Sequence, residues 1–564
     1  MQAYLQYRAI RASVRNQLDQ KDQEGYQRVL ARGSSDPFRT QNPDQQQRQP
    51  DGTSLLPGIQ LIEDTGSRNG EPSHIFLVDW ESDHDVLNPR NFSLATKMMG
   101  TFIVSALAFV VSASSSIESA VLAQSSAAYH VSEVVASLFT AVFLLGFATG
   151  TLVSGPLSEI LGRNAVYAIS TSLFMLFVMG SGLSPNVGAK LACRFLAGVC
   201  GCPPLTCAGG TVADLWDPLE KTLAFPVYAI LSFGGAILSP VIASYMGQGT
   251  LSWRWVNWIV LIMGGLVLGL VLLLQPETYS PLLLKWKAQH LRRLTGDPRY
   301  RSKLELGDTP LPSRIARACG RQFTLAVREP IILLLALYMT VLYIVLFTFF
   351  DGYAFIFTDV HGLSQPLTNI VWVAMYVGIM LAALLLPGIY SQYRRTRLAA
   401  EEGPGDHELS DASGDSNRRT PPAQKSSSSS PDPEHRLWYA MIGAPAIPIS
   451  LFWMGWTDYR DISIWSPILG SGLFGFGSIC VFISSYMYVI DAYEIYAASA
   501  LGFMTVTRYF AAGGMTVVGI PFYRNLGVHW TLTILGVISA VMTPVPFVFW
   551  KFGRVIRGWS RFAV

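Results

Sequence analysis

Twelve long apolar runs are the feature that most limits how this chain can fold. A helix needs about 20 mostly apolar residues to cross a lipid bilayer. The runs form two sets of six, separated by the polar stretch 276–329, and predict an all-α membrane protein of two pseudo-symmetric six-helix bundles. They lie near residues 98–118, 134–154, 164–183, 189–212, 223–246, 253–275, 330–353, 368–389, 437–456, 464–490, 496–520 and 529–550.

The composition agrees with a chain whose surface faces lipid. Hydrophobic residues make up 50% of the sequence and charged residues only 14%, whereas soluble proteins average about 25% charged residues. The formal net charge is +3, which gives no reason to expect a nucleic-acid partner. The lipid bilayer is therefore the expected surrounding, and a monomer is the expected state.

Polar segments flank and divide the two bundles. The first ninety residues contain no apolar run and are rich in Gln, Asp, Arg and Pro, which is typical of disorder. A second polar insert contains the serine run 426–430. The predicted organisation is a cytosolic disordered tail 1–96, an N-terminal bundle 97–275, a basic central loop 276–329, a C-terminal bundle 330–552 with a disordered insert 390–436, and a cytosolic tail 553–564.

The positions of lysine and arginine predict the orientation, because cytoplasmic loops carry an excess of both. The central loop and the C-terminal tail are rich in them, whereas residues 119–132 and 357–367 contain none. Both termini and the central loop are therefore expected in the cytosol. The plasma membrane is the expected location, with the vacuolar membrane as the alternative.

Cysteine and histidine give little support to a metal site. Four of the six cysteines, Cys193, Cys200, Cys202 and Cys207, lie in one apolar run without a nearby histidine. Small residues at helix contacts explain them better than metal ligands do. The eight histidines form no close cluster, and no phosphate-binding loop is present outside the apolar runs. We therefore expect no metal, no cofactor and no enzyme activity.

The turn between runs 2 and 3 carries the first recognisable motif. It begins at Gly155, continues through Glu159, and ends in Gly162-Arg163-Asn164. Its glycines allow a tight turn between packed helices, and Glu159 and Arg163 supply opposite charges. The segment resembles the signature G-x-L-x-D-R-x-G-R-K of the major facilitator superfamily, with Glu159 at the Asp position.

Two further motifs lie inside apolar runs. Arg194, followed by Gly198, resembles the family's intramembrane arginine signature. An arginine in the bilayer core costs at least ~2.5 kcal/mol, so Arg194 needs a partner or water, or its side chain extends to the interface. Gly235 and Pro240 resemble the fifth-helix signature of antiporters; a proline-kinked helix is the alternative explanation for Pro240.

The most specific resemblance is spread along residues 79–560. It rests on Asp79-Trp80 with Asn88-Pro89-Arg90, on Pro276-Glu277-Thr278-Tyr279, and on Asp491-Ala492-Tyr493 followed by Arg508. Together these resemble the fungal polyamine and multidrug branch of the twelve-helix drug:proton antiporters. The resemblance implies the major facilitator fold and export of a drug, toxin, secondary metabolite or polyamine by proton antiport with alternating access. A proton-coupled nutrient importer and an integral membrane enzyme remain the alternatives.

Four charged residues within the apolar runs are candidates for proton coupling: Glu118, Arg194, Asp351 and Arg508. A carboxyl group in a low-dielectric cavity can take up and release a proton as it changes its exposure to water. The alternative is that both acids lie in the membrane interface. In the family, charged residues at the inner end latch the gate; the resemblance assigns that role here to Gly155, Glu159, Gly162, Arg163 and Asp214, with Asp491 as the equivalent of Asp214 in the second half.

Overall fold

Membrane-spanning helices dominate the structure. A computed structural model describes residues 1–33, 56–64, 73–247, 251–306, 311–401, 433–493 and 496–560. Within these residues, eleven helical segments are long and apolar enough to cross a membrane. They are Leu94–Tyr129, Glu133–Leu161, Arg163–Leu183, Val187–Leu215, Lys221–Ile242, Trp255–Leu274, Pro330–Val360, Gln365–Leu398, Pro433–Thr457, Trp465–Tyr493 and Ala497–Gly558.

The last of these segments contains two spans. It has 62 residues, about three times the length needed to cross a ~30 Å hydrocarbon core at 1.5 Å per residue. Gly527, with φ 74° and ψ 172°, interrupts the helix Ala497–Met542. Division at this residue gives spans 497–526 and 528–558, so the predicted twelve-helix, all-α membrane fold is confirmed. The segments are called spans 1 to 12 in chain order.

Several spans are broken into shorter helices. In span 4 the break falls at Cys202, directly before Pro203 and Pro204, which cannot donate backbone N–H groups to the helix. The pieces are Leu94–Ser116, Ile117–Val121 and Leu122–Tyr129 in span 1; Val187–Gly201, Pro203–Thr206 and Ala208–Leu215 in span 4; Pro330–Tyr353 and Ala354–Val360 in span 7; Gln365–Ile370, Trp372–Ala383 and Leu386–Glu401 in span 8; Pro433–Leu437, Trp438–Gly443 and Ala446–Thr457 in span 9; and the final helix Pro544–Trp559 in span 12.

The packing of the spans repeats between the two halves. Spans 1 and 5 pack closely, as do their counterparts 7 and 11; spans 2 and 4 correspond in the same way to 8 and 10, and spans 3 and 6 to 9 and 12. Between the halves, span 2 contacts span 11 and span 5 contacts span 8. These two contacts exchange under the same correspondence, so the halves are related by an approximate two-fold axis.

The two ends of the bundle are distinguished by the chain direction. We call the end where span 1 begins, at Leu94, the basal end, and the opposite end, near Tyr129, the distal end. In the part of the chain that the structure describes, three α-helices lie outside the spans: α1 (Gln2–Gly33), α2 (Ser280–Thr295) and α3 (Leu311–Arg328). Both α2 and α3 connect span 6 to span 7. Since twelve spans alternate in direction, these helices and both termini lie at the basal end.

The N-terminal segment differs from the expectation of a disordered tail. Helix α1 packs on α2, and Ile10 and Val14, one helical turn apart, share an apolar cluster with Leu283 and Leu291. Strand β1 (Ile59–Asp64) pairs antiparallel with β2 (Ser73–Val78), and β2 pairs parallel with β3 (Tyr300–Arg301). The few apolar residues of the N-terminal segment are thus buried against the central loop. Composition alone does not predict this packing.

The insert between spans 8 and 9 is shorter than expected. Helix Leu386–Glu401 extends span 8 beyond residue 390, and the 3-10 turn Pro433–Leu437 already belongs to span 9. Only residues 402–432 of the insert predicted over 390–436 lie outside the described residues. Arg436, at its end, therefore belongs to the folded bundle.

Candidate substrate pathway and gates

The turn between spans 2 and 3 brings an ion pair to the basal end. Span 2 ends at Leu161 and is followed by Gly162, whose φ of 92° lies in the region that favours glycine. Arg163 begins span 3, and its Nε lies 3.2 Å from Oδ2 of Asp214 at the end of span 4. Arg163 Nη1 also donates to Ser158 Oγ at 2.5 Å. The structure thus joins two of the predicted gate residues.

Glu277, just beyond span 6, holds the same turn from the other side. Its carboxylate accepts backbone N–H groups from Arg163 at 2.9 Å and Asn164 at 3.1 Å. Further N–H groups come from Thr278 and Tyr279, each at 3.0 Å. Burial raises the pKa of Glu277, while these N–H groups oppose the rise by favouring the charged form. The negative charge lies at the N-terminus of span 3, where a helix stabilises anions.

A cavity of about 230 Å³ opens beside this ion pair. Gly155, Glu159, Arg163 and Asp214 all line it, so four of the six predicted gate residues share one space. Glu159 forms no salt bridge with any described residue, in contrast to Asp214. The sixth gate candidate, Asp491, lies elsewhere at the basal end.

Asp491 takes part in a contact between the two halves. Its Oδ2 lies 2.7 Å from Arg436 Nε. Arg436 also donates to Thr222 Oγ1 at 2.6 Å and to the Pro218 carbonyl at 3.1 Å, both in the first half. Sequence reasoning missed Arg436 because the residue fell at the edge of the expected disordered insert.

At the distal end, Glu118 is paired with a lysine that sequence reasoning also missed. Lys190 Nζ lies 2.9 Å from Glu118 Oε2, and both side chains are buried. Asn257 Nδ2 donates to the other carboxylate oxygen at 3.2 Å. The rings of Trp253 and Phe139 lie 4.3 and 4.4 Å from the ammonium group. The sequence signal for Lys190 was its position within an apolar run, four residues before Arg194.

Arg194 is satisfied mainly by backbone oxygens. Its Nε donates to the Phe139 carbonyl at 3.0 Å and its Nη2 to the Ser114 carbonyl at 2.9 Å. Nη1 reaches Ser114 Oγ at 3.3 Å. The guanidinium is 1% exposed, so the side chain does not extend to the membrane surface.

Within the described spans of the second half, two buried charged residues have unsatisfied atoms. Asp351, in span 7, has an Oδ2 atom without a hydrogen-bond partner and lies against Gly519 of span 11. Arg508, in span 11, has Nε and Nη1 without partners. Four aromatic rings surround its guanidinium carbon at 4.6 to 5.3 Å: Tyr343, Tyr509, Tyr486 and Phe482. Asp351 and Arg508 are thus buried charges of opposite sign, and no described side chain neutralises either of them.

Side chains of the two halves contact each other at both ends of the bundle. At the distal end, Gln124 Nε2 donates to Gln365 Oε1 at 2.9 Å, and Arg524 lies 2.5 Å from Glu133. At the basal end, Arg436 bridges to span 5 as described above. Contacts between the halves are thus present at both ends of the bundle.

A comparison with protein families decides the class of this architecture. A model described as "Major Facilitator Superfamily" matches residues 101–517, which is more than half of the chain. The chain belongs to the major facilitator superfamily. Its twelve spans and its place in this family make it a multi-pass membrane transporter.

Several relatives of this major facilitator protein come from fungi. It is 47% identical over 484 residues to "MFS-type transporter kojT" of Aspergillus flavus, covering 86% of this chain and 82% of that protein. It is 31% identical to the "Ascochitine biosynthesis cluster MFS transporter" of Didymella fabae, covering 86% of this chain and 89% of that protein. A solved structure of the proton:xylose symporter XylE shares the fold, with a TM-score of 0.57 at 14% identity, over 82% of this chain and 96% of that chain.

The fifth-helix motif of this major facilitator protein lies in a helix contact. A Cβ atom on Gly235 would lie 2.1 Å from the Phe109 carbonyl oxygen, so a glycine is needed where spans 1 and 5 meet. Ser239 Oγ lies 2.7 Å from Ser116 Oγ in the same contact, one residue before Pro240. Across the described part of the chain, no group of three or more His, Cys, Asp or Glu residues is arranged to hold a metal ion.

Proposed function

We propose that this transporter exports a small organic metabolite in exchange for protons, and that its basal end faces the cytosol. The lysines and arginines of α2 and α3 support this orientation, because positive residues flank spans on the cytoplasmic side. The similarity to a transporter of a named biosynthesis cluster supports secondary-metabolite export. The plasma membrane and a monomer are part of the same proposal.

One observation carries the proton coupling, namely the unsatisfied carboxylate of Asp351. A buried ionised carboxylate without a cation beside it costs more free energy than the neutral acid. Proton uptake and release at Asp351 would therefore accompany its exposure to water on either side. Glu118, by contrast, has its charge compensated by Lys190 at 2.9 Å, so Asp351 is the preferred carrier and Glu118 the second candidate.

Alternating access then requires the two sets of contacts to break in turn. Opening the basal end separates Arg436 from Thr222, and opening the distal end separates Gln124 from Gln365 and Arg524 from Glu133. The basal contacts are hydrogen bonds, and the distal contacts are a hydrogen bond and an ion pair, so a modest difference in free energy decides which end is open. Arg163, Asp214 and Glu159 would shape the basal mouth through which the metabolite enters.

The test compares fungal cells with and without the protein by mass spectrometry of cells and medium. We expect at least one organic metabolite to be retained in the cells that lack it and released again when the protein is restored. A protonophore should abolish the release, and so should Asp351→Asn. Asp359→Asn, an exposed acid near the same end of span 7, is the control and should release normally. Release that survives the protonophore would refute proton coupling, and accumulation caused by the protein would indicate import.

A further inference from the structure

Arg508 is a buried cation for which the described residues provide no counter-charge. Its side chain is 1% exposed, yet Nε and Nη1 have no hydrogen-bond partner. No salt bridge joins it to a carboxylate among the residues that the structure describes. A guanidinium remains charged in proteins, so its burial without an anion or water is costly. Such a site is incomplete until a ligand supplies negative charge or acceptor oxygens.

Arg194 shows how the same chain treats a buried arginine with a purely structural environment. It is equally buried, but its three nitrogens donate to the Phe139 carbonyl, the Ser114 carbonyl and Ser114 Oγ. Glu118 adds a negative charge nearby. Both arginines face aromatic rings, so the two sites differ in whether hydrogen-bond acceptors surround the guanidinium. Arg508 alone of the two keeps free donors.

The rings around Arg508 form a box with flat apolar walls. Tyr343 of span 7, Phe482 and Tyr486 of span 10, and Tyr509 of span 11 surround the guanidinium. Phe233 of span 5 packs on Phe482 with ring centroids 4.8 Å apart, so the first half closes the box. Rings hold a cation by their faces but accept none of its N–H groups well. The same faces can stack on a planar ligand.

The basal cavity leads to this box. Tyr486 and Thr505 line the cavity together with Arg163 and Asp214. The Tyr486 hydroxyl lies 3.1 Å from Thr505 Oγ1, and Thr505 precedes Arg508 by one helical turn. Movement of the Tyr486 ring would therefore connect the cavity to the guanidinium. The cavity volume of about 230 Å³ lies below the roughly 300–1,000 Å³ of pockets for drug-sized ligands, so the ligand is small.

The charges along this route favour an anion. At the mouth of the cavity, Arg163 and Arg321 are balanced by Glu159 and Asp214. Arg508 at the inner end adds a positive charge that nothing described compensates. A cationic substrate would have to approach this charge without a nearby carboxylate, which is unfavourable in a low-dielectric interior.

We propose that Arg508 and the four rings around it bind a small planar organic monoanion, such as an aromatic carboxylate, an enolate or a phenolate. The guanidinium donates to the anionic oxygens, ideally in a bidentate arrangement, and the rings stack on the ligand plane. This inference rests on the proposed function, because it names the substrate class of the same pathway. A polyamine, which the resemblance includes among the possible substrates, is a cation and would not fit this site.

The test measures equilibrium binding to the purified full-length protein in detergent by isothermal titration calorimetry. The probes are salicylate, its neutral isostere salicylamide, and the cation benzylamine. We expect wild-type protein to bind salicylate at least tenfold more tightly than either other probe, because only salicylate pairs with the guanidinium. Equal binding of salicylamide, or no binding of salicylate, would overturn the proposal without the use of any variant.

Variants assign the binding to Arg508. Arg508→Met should weaken salicylate binding about tenfold or more. Arg508→Lys should retain part of the binding, because an ammonium group keeps the positive charge but cannot bind a carboxylate in a bidentate arrangement. Arg299→Met, which removes an exposed arginine outside the spans, is the control for net charge and should bind normally. Unchanged binding in Arg508→Met or Arg508→Lys would overturn the proposal; if Arg508→Met does not fold, the lysine variant decides.

This experiment is independent of the test of export. Binding is measured without a proton gradient and without a transport direction. Arg508-dependent anion binding together with absent export would refute the proposed function alone. Export of neutral or cationic metabolites that Arg508→Met leaves intact would refute the binding site alone.

Discussion

Lys190 and Glu118 form an ion pair of 2.9 Å that is buried in the first half of the transporter. Neither side chain reaches solvent, and each has further partners, namely Asn257 for the carboxylate and three aromatic rings for the ammonium. The pair joins span 1 to span 4 at the distal end. It gives the first half a compensated pair of charges where the second half has the unpaired carboxylate oxygen of Asp351.

Breaking this pair should strongly destabilise the protein. Lys190→Met leaves Glu118 buried without its lysine, and we expect the free energy of unfolding to fall by roughly 3–5 kcal/mol, as for other buried pairs. The double variant Glu118→Gln with Lys190→Met should lose less than the sum of the single losses. Unfolding by SDS titration in mixed micelles measures all three.

The exposed pair Arg524–Glu133 provides the matched control. Its side chains are 56% and 40% exposed, so Arg524→Gln should cost under ~1 kcal/mol. If Lys190→Met were as mild as Arg524→Gln, the buried pair would not stabilise the first half.

Removal of Arg436 should favour opening at the basal end. Arg436→Ala loses the hydrogen bonds to Thr222 and Pro218 and the salt bridge to Asp491. A charge-assisted hydrogen bond contributes about 1.5–3 kcal/mol, so the open population should rise at least about tenfold. Cys207 lines the basal cavity, and its rate of maleimide labelling, with the other cysteines replaced by serine, reports the opening. Arg394→Ala, an exposed arginine at the same end, should label at the wild-type rate; equal rates for Arg436→Ala would disprove the latch.

Gly162 and Gly155 should respond differently to alanine. At Gly162 an added Cβ would lie 2.5 Å from Glu277 Oε2, and the residue has φ 92° and ψ 165°, a conformation essentially confined to glycine. We expect Gly162→Ala to cost roughly 1–3 kcal/mol. At Gly155 no atom lies within 4 Å of an added Cβ, so Gly155→Ala should be neutral or stabilise its helix by up to about 1 kcal/mol. Thermal unfolding midpoints of the two variants give the comparison, and equal losses would contradict it.

Asp458 should make stability depend on pH. It lies just beyond span 9, 3.2 Å from His361 Nε2, and burial raises its pKa to about 7. Burial also lowers the pKa of His361. Since the folded-state pKa of Asp458 exceeds its usual value of 3.8, its contribution to stability is fully present below pH 3.8 and is lost as the pH rises to about 7. The loss is on the order of 4 kcal/mol at 1.36 kcal/mol per pH unit.

The pH effect is measured as the difference between wild type and Asp458→Asn, which cannot titrate. Stability of wild type relative to the variant should fall between about pH 4 and pH 7 and then level off. Asp461→Asn, an exposed acid three residues along the same loop, should leave the wild-type profile unchanged. A flat difference for Asp458→Asn would show that the carboxyl group titrates normally.

The sequence predicts the membrane architecture well, because lipid imposes a simple requirement on every span. Each of the twelve apolar runs appears as a span, and the turn at Gly162-Arg163 lies where the motif predicts. Arg163 and Asp214 also meet, since span 3 begins and span 4 ends at the basal end. Hydropathy does not reveal that spans 11 and 12 follow each other with a single non-helical residue, Gly527, between them.

The missed residues depend on how distant segments meet. Lys190 pairs with Glu118, 72 positions earlier in the chain. Arg436 bonds to Thr222 in the other half. The sequence motif contains Glu277 but does not predict its role, because its partners are backbone N–H groups, which no side-chain pattern reveals. Helix α1 follows the same rule, since its apolar residues are too few to indicate a packed helix until α2 supplies the other surface.

The docking of α1 has a practical consequence for how this transporter is handled. Gln6 Oε1 accepts the backbone N–H of Glu277 at 2.7 Å, so the first turns of the chain lie next to the residue that braces the Arg163 turn. A fluorescent reporter or purification tag fused at the amino terminus would disturb the contact between Gln6 and Glu277 and could not be used without changing the Arg163 turn. Labels fused after the last helix avoid this interference and suit quantitative assays better.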